Sequence, residues 1–274
     1  MAAGATHFEG DANRRGNLAP WDHFKIGETD YRVSDHPSGL RAEGSVTIVP
    51  DPLGSGNNVY KLTVTASSNF AASSARSDRV DLWNNLRPYL GQEGEENWEH
   101  FQVLFPSAGD AYQPAPGMWN WVAQHHNDQN YKRFIASGEI KQELPELCWG
   151  VDSKAKLPTG ETATELFMAI RGGDDLNQPK QTIVHTDAPL LYDHWYDMLV
   201  HVRWSHDPSR GLVEWWLDGQ LIYSQPIADL WLRPDGTTDH VNFELSNYRI
   251  HAEWDSTIYY GRVKLGTTRE SVSY

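Results

Sequence analysis

The chain is predicted to be an all-β protein, a sandwich or a barrel, and three observations carry that prediction. Short runs of alternating or β-branched and aromatic residues recur along the 274 positions. Clusters of Gly, Pro, Asn and Asp separate them, and long stretches with a 3.6-residue apolar repeat are scarce. The runs fall at residues 44–49, 59–66, 98–105, 119–126, 165–171, 195–204, 211–217, 241–249 and 258–265. Between them lie Pro50-Asp51-Pro52-Leu53-Gly54-Ser55-Gly56, Pro114-Ala115-Pro116-Gly117, Gly172-Gly173-Asp174-Asp175 and Pro234-Asp235-Gly236, whose Pro and Gly supply the fixed or positive φ that turns need. The run at 195–204 passes through Ser205-His206-Asp207-Pro208-Ser209-Arg210-Gly211, returns over 212–217 and turns again at Asp218-Gly219, a dipeptide that favours a two-residue hairpin. With no linker, internal repeat or low-complexity tract, residues 1–274 are read as one domain.

Composition narrows the function classes. Hydrophobic residues make up 39% and charged residues 22%, enough apolar material for a core and too little charge for a disordered chain. Twelve Trp and twelve Tyr supply flat amphipathic rings that fill wide β cores or stack on ligands. A net charge of −14 argues against nucleic acid and anionic membranes as partners, since both need a basic face. A polyanionic glycan is compatible only if basic side chains gather in a cleft, because exposed charges are screened beyond about 8 Å. The single Cys148 excludes an internal disulfide and a cysteine-cluster metal site, and is read as a core thiol. No run reaches the roughly 18 apolar residues of a membrane span, and Met1-Ala2-Ala3-Gly4-Ala5-Thr6 lacks a charged segment followed by an apolar one.

Four segments, in chain order, carry a resemblance. They are Ser77-Asp78-Arg79-Val80-Asp81-Leu82; Trp121-Val122-Ala123-Gln124-His125-His126; Trp195-Tyr196-Asp197 with the strand Gly211 through Asp218-Gly219; and Phe243-Glu244-Leu245-Ser246-Asn247-Tyr248-Arg249, followed by Ile258-Tyr259-Tyr260-Gly261-Arg262-Val263. This set resembles the polysaccharide lyases of the heparin lyase I-like and glucuronan lyase-like group and, more distantly, the jelly-roll alginate lyases. Asp81 stands where the group has Glu, Glu244 where it commonly has Lys, and Ser246 where it commonly has Gly. The resemblance implies a two-sheet antiparallel β jelly roll, a concanavalin-like sandwich, with a substrate groove on the concave sheet. It implies β-elimination on a uronic-acid glycan, with no cofactor required and a structural Ca²⁺ allowed, although no EF-hand spacing is present. A monomer is expected, secreted or periplasmic with any leader removed, and a cytoplasmic location stays open.

β-Elimination needs neutralisation of the C6 carboxylate, a base for the C5 proton and an acid for the oxygen leaving C4. Gln124 and Arg79 are the candidates for the carboxylate, since an amide N–H and a guanidinium fork stabilise the charge that develops there. Strand alternation places Gln124 and His126 on one face about 7 Å apart, with Asn120 and Val122 beside them and Asn120 a substrate contact. The same count turns His125 the other way, with Trp119 and Trp121, as a packed core histidine. Tyr248 is the candidate base or acid, because neighbouring guanidinium groups favour its phenolate. For a D-glucuronate-type sugar one tyrosine serves both roles; for the opposite C5 configuration His126 is the base and Tyr248 the acid. Glu244, Ser246 and Tyr248 are expected to line the groove while Phe243 and Leu245 fill the core, with Glu244 accepting hydrogen bonds from a hydroxyl-rich, neutral sugar. Arg249, Asp81 and Lys132 complete the expected substrate contacts, Asp81 also as an ion partner that orients Arg79. Arg76, Arg87 and Arg133 are read as surface charge that can add to the cleft.

Two other classes remain open at this stage. A jelly-roll glycoside hydrolase needs two carboxylates about 5 to 10 Å apart, for which Glu214 and Asp218 are the nearest local pair, Asp218 falling in the hairpin turn. A non-catalytic carbohydrate-binding protein would use the same sandwich with aromatic platforms alone, and the Glu at position 244 leans that way.

Overall fold

The computed structural model describes residues 6–10, 12–15, 23–26, 29–32, 40–41, 44–66, 77–84, 94–127, 145–172, 180–205, 207–225, 241–250 and 252–274. Two antiparallel sheets make up nearly all of it. The back sheet has the order β15 (Gln220–Gln225), β14 (Leu212–Leu217), β13 (Trp195–Arg203), β8 (Glu96–Leu104), β17 (Ser256–Gly266), β6 (Asn58–Val64), β5 (Gly44–Pro50) and β4 (Leu40–Arg41), with β1 (Thr6–Gly10) also paired to β17. The front sheet has the order β12 (Lys180–His185), β11 (Thr162–Gly172), β10 (Leu147–Lys156), β9 (Asn120–Asn127), β16 (Val241–Ile250), β7 (Ser77–Asn84), β2 (His23–Ile26) and β3 (Thr29–Arg32). Chain neighbours such as β14 and β15 pair directly, while β16 returns from far along the chain to lie between β7 and β9. This is the jelly roll that the resemblance implied.

All nine predicted runs form strands. The Asp218-Gly219 turn closes β14 onto β15 with φ of 50° and 79°, the left-handed pair a two-residue hairpin demands. Strand β10 escaped the sequence reading because its alternation is broken. Leu147 to Asp152 are buried without interruption, and the register shifts between Asp152 and Ala155.

Side chains from the inner faces of both sheets form one core that includes Trp149, Trp204, Trp215, Phe101, Phe243 and Tyr260, all fully buried. Phe101 of the back sheet bridges the layers, with its ring centroid 5.8 Å from both Trp149 and Phe243 of the front sheet. Between the same layers His125 Nε2 lies 2.8 Å from Glu99 Oε2, both side chains fully buried.

A β-bulge interrupts the centre of the front sheet. Against β10, Ala123 and Trp121 face the consecutive residues Trp149 and Gly150, so Val122 is the extra residue. Against β16 the same two residues face Leu245 and Tyr248. Val122 and Ala123 therefore both point into the core, and the alternation is inverted before them. The Tyr260 hydroxyl reaches across from β17 and lies 2.6 Å from the carbonyl oxygens of both Val122 and Ser246. Burial pushes this phenol well above its ordinary range, so it stays a donor where the ladder is broken.

Candidate active site

Three adjacent strands of the front sheet build the site. β16 pairs with β7 on one side and β9 on the other, which sets Tyr248 opposite Arg79, Ser246 opposite Asp81 and Glu244 opposite Gln124. Phe243 and Leu245 fill the core, and Asn247 is pinned inward by its amide, which donates to the carbonyls of Leu62 at 3.1 Å and Ser256 at 2.8 Å. Glu244, Ser246 and Tyr248 take the other face, as alternation along β16 predicted.

The Arg79 guanidinium is the hub of that face. Its Nε donates to Asp81 Oδ2, its Nη2 donates to Glu244 Oε2 at 2.7 Å, and its central carbon lies 4.7 Å from the centroid of the Tyr248 ring, within cation–π range. Burial works against its charge, but Asp81, Glu244 and the Tyr248 phenol outweigh that and hold the guanidinium protonated above its usual range. Asp81 is pushed up by burial and by Glu244, against the pull of Arg79. The Gln124 amide, only 1% exposed, donates to the same Glu244 Oε2. The two groups expected to meet a substrate carboxylate thus already hold an internal one.

The bulge moves other predicted residues off this face. Asn120 is corrected from a substrate contact to a loop anchor. It is 3% exposed, its Oδ1 accepts from the Ala115 N–H, and its amide lies 2.9 to 3.0 Å from the carbonyls of Ala115, Gly117 and Val151. Val122 is likewise in the core. Trp119 and Trp121, expected beside His125, instead share the face of Tyr248 and Gln124. Trp119 meets the Tyr248 ring edge-on at 6.0 Å. Trp121 packs on Phe167, with the Arg171 guanidinium 5.5 Å from its ring. Gly150 makes room for this arrangement, because a Cβ there would stand 2.8 Å from Phe167 and 2.9 Å from Trp121. No signal in the sequence marks the extra residue, so Trp119 and Trp121 were assigned to the wrong face.

Arg249 is a second correction. It is 1% exposed, with its guanidinium 3.4 Å from Asp78 and donating to the carbonyls of Gln113 at 2.7 Å and Trp254; it ties β16 to its surroundings on the face opposite Tyr248. Asp81 is fully buried, so it holds Arg79 in place and has no surface for a sugar. Glu244 is 6% exposed and spends Oε2 on protein donors, which leaves little of it for the hydrogen bonds expected to a neutral sugar. His125 is the packed core histidine anticipated, enclosed by Trp149, Trp204 and Phe243. The side chain of His126 and all of Lys132, Arg76, Arg87 and Arg133 lie outside the described residues.

The carboxylates considered for a hydrolase are on the back sheet and are otherwise engaged. Glu214 Oε2 lies 2.7 Å from His201, and Asp218 Oδ2 lies 2.8 Å from His194 while its Oδ1 accepts from the Asp197 N–H. Among the described residues, no group of three or more His, Cys, Asp and Glu side chains is placed to hold a metal ion, and no helix is long and apolar enough to cross a membrane.

Comparison with known proteins places this geometry. A family model described as "Polysaccharide lyase" matches residues 13–243. A search of curated proteins finds no match. Among solved structures, an endo-β-1,4-glucuronan lyase from the fungus Trichoderma reesei aligns over 98% of both chains with a TM-score of 0.67 at 17% identity. An alginate lyase from Pseudomonas aeruginosa aligns over 92% of this chain and 99% of its own, TM-score 0.53 at 13% identity. A cellulose-induced protein covers 95% and 97%, TM-score 0.51 at 9% identity. At these identities the structural likeness establishes the fold.

Proposed function

The chain belongs to the polysaccharide lyase family, and from that premise we propose that it cleaves a uronic-acid polymer by β-elimination, an unsulfated polyglucuronate first among them. The observation that carries the reading is the gathering of Arg79, Gln124 and Tyr248 on one face of three adjacent strands. Arg79, with the buried Gln124 amide behind it once released from Glu244, takes the C6 carboxylate of the sugar and stabilises the charge that builds on it as the C5 proton leaves. Tyr248, beside that guanidinium, takes the C5 proton as its phenolate. The electrons of the C5–H bond form the C4=C5 double bond, the C4–O bond breaks, and the phenol returns the proton to the departing oxygen. One residue suffices because proton and leaving group depart from the same face of a D-glucuronate. Trp119 and Trp121 flank the site as walls for the sugar rings.

Glu244 shapes the substrate preference. An incoming carboxylate must share or displace the donors that Glu244 holds, and densely sulfated chains meet the most repulsion there and from the overall charge of −14. The glucuronan lyase likeness supports the same substrate class. A polymer too large to cross a membrane is met outside the cell, so secretion is part of the proposal. The test is a panel of polyglucuronate, alginate, heparan-type and hyaluronan-type polymers followed by ultraviolet absorbance. A conjugated unsaturated uronate is the expected product. Reducing ends without that absorbance would replace this reading with hydrolysis.

A further inference from the structure

The outer face of the back sheet carries a cavity of about 370 Å³, on the side of the sandwich opposite Tyr248. That is within the range of small-molecule sites, which pair apolar walls with a few fixed polar groups. Asp51, Asn57, Gln102, Trp195, Arg262 and Tyr274 are among its lining residues.

Each wall is held in place. The loop after β5 is closed by Asp51 N–H to the Asn57 carbonyl at 2.8 Å and Gly54 N–H to the Asp51 carbonyl at 2.9 Å. The Asp51 carboxylate accepts from the Leu53 N–H at 2.9 Å and from the Trp195 indole N–H at 3.2 Å, so the loop also locks the indole. Trp195 packs on Val59, Leu104 and Tyr259. Gln102 lies across β17 at Gly261, where a Cβ would stand 2.7 Å from its Oε1; any other residue would push the amide aside. Tyr274 stacks on His100 at 4.1 Å, and its hydroxyl lies 2.8 and 2.7 Å from the carbonyls of His100 and Arg262.

The same face carries further rings. Trp98, four residues before Gln102 on β8 and so about 13 Å away along the strand, stacks with Trp216 at 5.6 Å and with His201 at 4.1 Å. Both indoles are half-buried. The Arg269 guanidinium covers Trp216 at 5.3 Å and Tyr274 caps His100 between Trp98 and Gln102, so these rings are separate from the cavity, where the Trp195 indole beside amides, a carboxylate and a guanidinium matches the apolar faces and hydroxyl edges of a sugar. Asp51 and Arg262 bring opposite charges, so the cavity suits hydroxyl groups more than a single ionic partner.

We propose that this cavity is a second, non-catalytic saccharide-binding site that holds a hydroxyl-rich segment of a polysaccharide while the front sheet works on it. The catalytic half of that statement rests on the lyase reading; the binding half does not. The test is native electrophoresis of the full chain through gels containing polyglucuronate, xylan or soluble cellulose. The expected result is retardation of the parent protein in at least one gel. A double variant, Asn57→Ala with Gln102→Ala, and separately Trp195→Ala, should weaken that apparent affinity by about fivefold or more, the scale of losing one or two hydrogen bonds or a stacking ring. Turnover of a glucuronate tetrasaccharide should stay unchanged. The double variant alters one exposed and one half-buried side chain and keeps the test sound if Trp195→Ala fails to fold. Retardation that is equal for parent and double variant in every gel, or absent for the parent in all three, overturns the proposal. Retardation that depends on Asn57 and Gln102 in a protein inactive on every polymer keeps this site and removes the lyase reading instead.

Discussion

Replacing Glu244 by Gln tests the electrostatics of the site most directly. The carboxylate is 6% exposed and takes hydrogen bonds from Arg79 and Gln124, and Gln keeps its shape and its acceptor oxygen while removing its charge. With all groups ionised, Arg79, Asp81 and Glu244 together carry one net negative charge; the substitution makes the cluster neutral. A substrate carboxylate sharing the same two donors would sit about 5 Å from Glu244, where like charges repel by about 3 kcal/mol at an effective dielectric of 20 and about 0.8 kcal/mol in open water. At about 1.4 kcal/mol per decade, KM for polyglucuronate should fall by between roughly fourfold and a hundredfold. Initial rates of unsaturated product, measured against polymer concentration at low and high salt, read this out, and the gain should shrink as salt screens it. Unchanged KM at low salt would mean that substrate carboxylates do not approach Arg79 and Gln124. Loss of turnover in a folded protein would show Glu244 to be part of the chemistry.

Three further outcomes follow from the same geometry. Tyr248→Phe keeps the ring against Trp119 and Arg79 and removes only the hydroxyl, so turnover should drop by about a hundredfold or more with the melting temperature unchanged, read by ultraviolet assay beside circular dichroism. His125→Ala leaves Glu99 fully buried without its 2.8 Å partner and should cost about 3–5 kcal/mol in denaturant unfolding, while the folded fraction retains its kcat. Tyr260→Phe removes the hydroxyl within reach of the Val122 and Ser246 carbonyls and should cost about 1–3 kcal/mol, measured the same way.

How much of this was legible in the sequence depends on where simple periodicity holds. Along β16 it holds to the end, so the two-residue count that put Glu244, Ser246 and Tyr248 on one face and Phe243 and Leu245 in the core matches the structure. Along β9 it holds only from Ala123 onward: the opposite faces expected for Gln124 and His125 match the structure, and one extra residue reversed Val122, Asn120, Trp119 and Trp121. A bulge is set by what lies across the sheet, here Tyr260 gathering the carbonyls of the broken ladder and Gly150 opening the way for Trp121, and neither contact is local to β9. Arg249 failed for a related reason. It was expected among the substrate contacts, but its position in β16 gives it the inward face of Phe243 and Leu245, and Asp78 with the Gln113 and Trp254 carbonyls makes burial tolerable there. The pairing of Arg79 and Gln124 with Glu244 was not legible either, since it needs β7, β9 and β16 side by side. Glu244 is therefore tied into the site by its own hydrogen bonds. On the proposed reading Glu244 competes with the substrate carboxylate for Arg79 and Gln124, its partners within the fold.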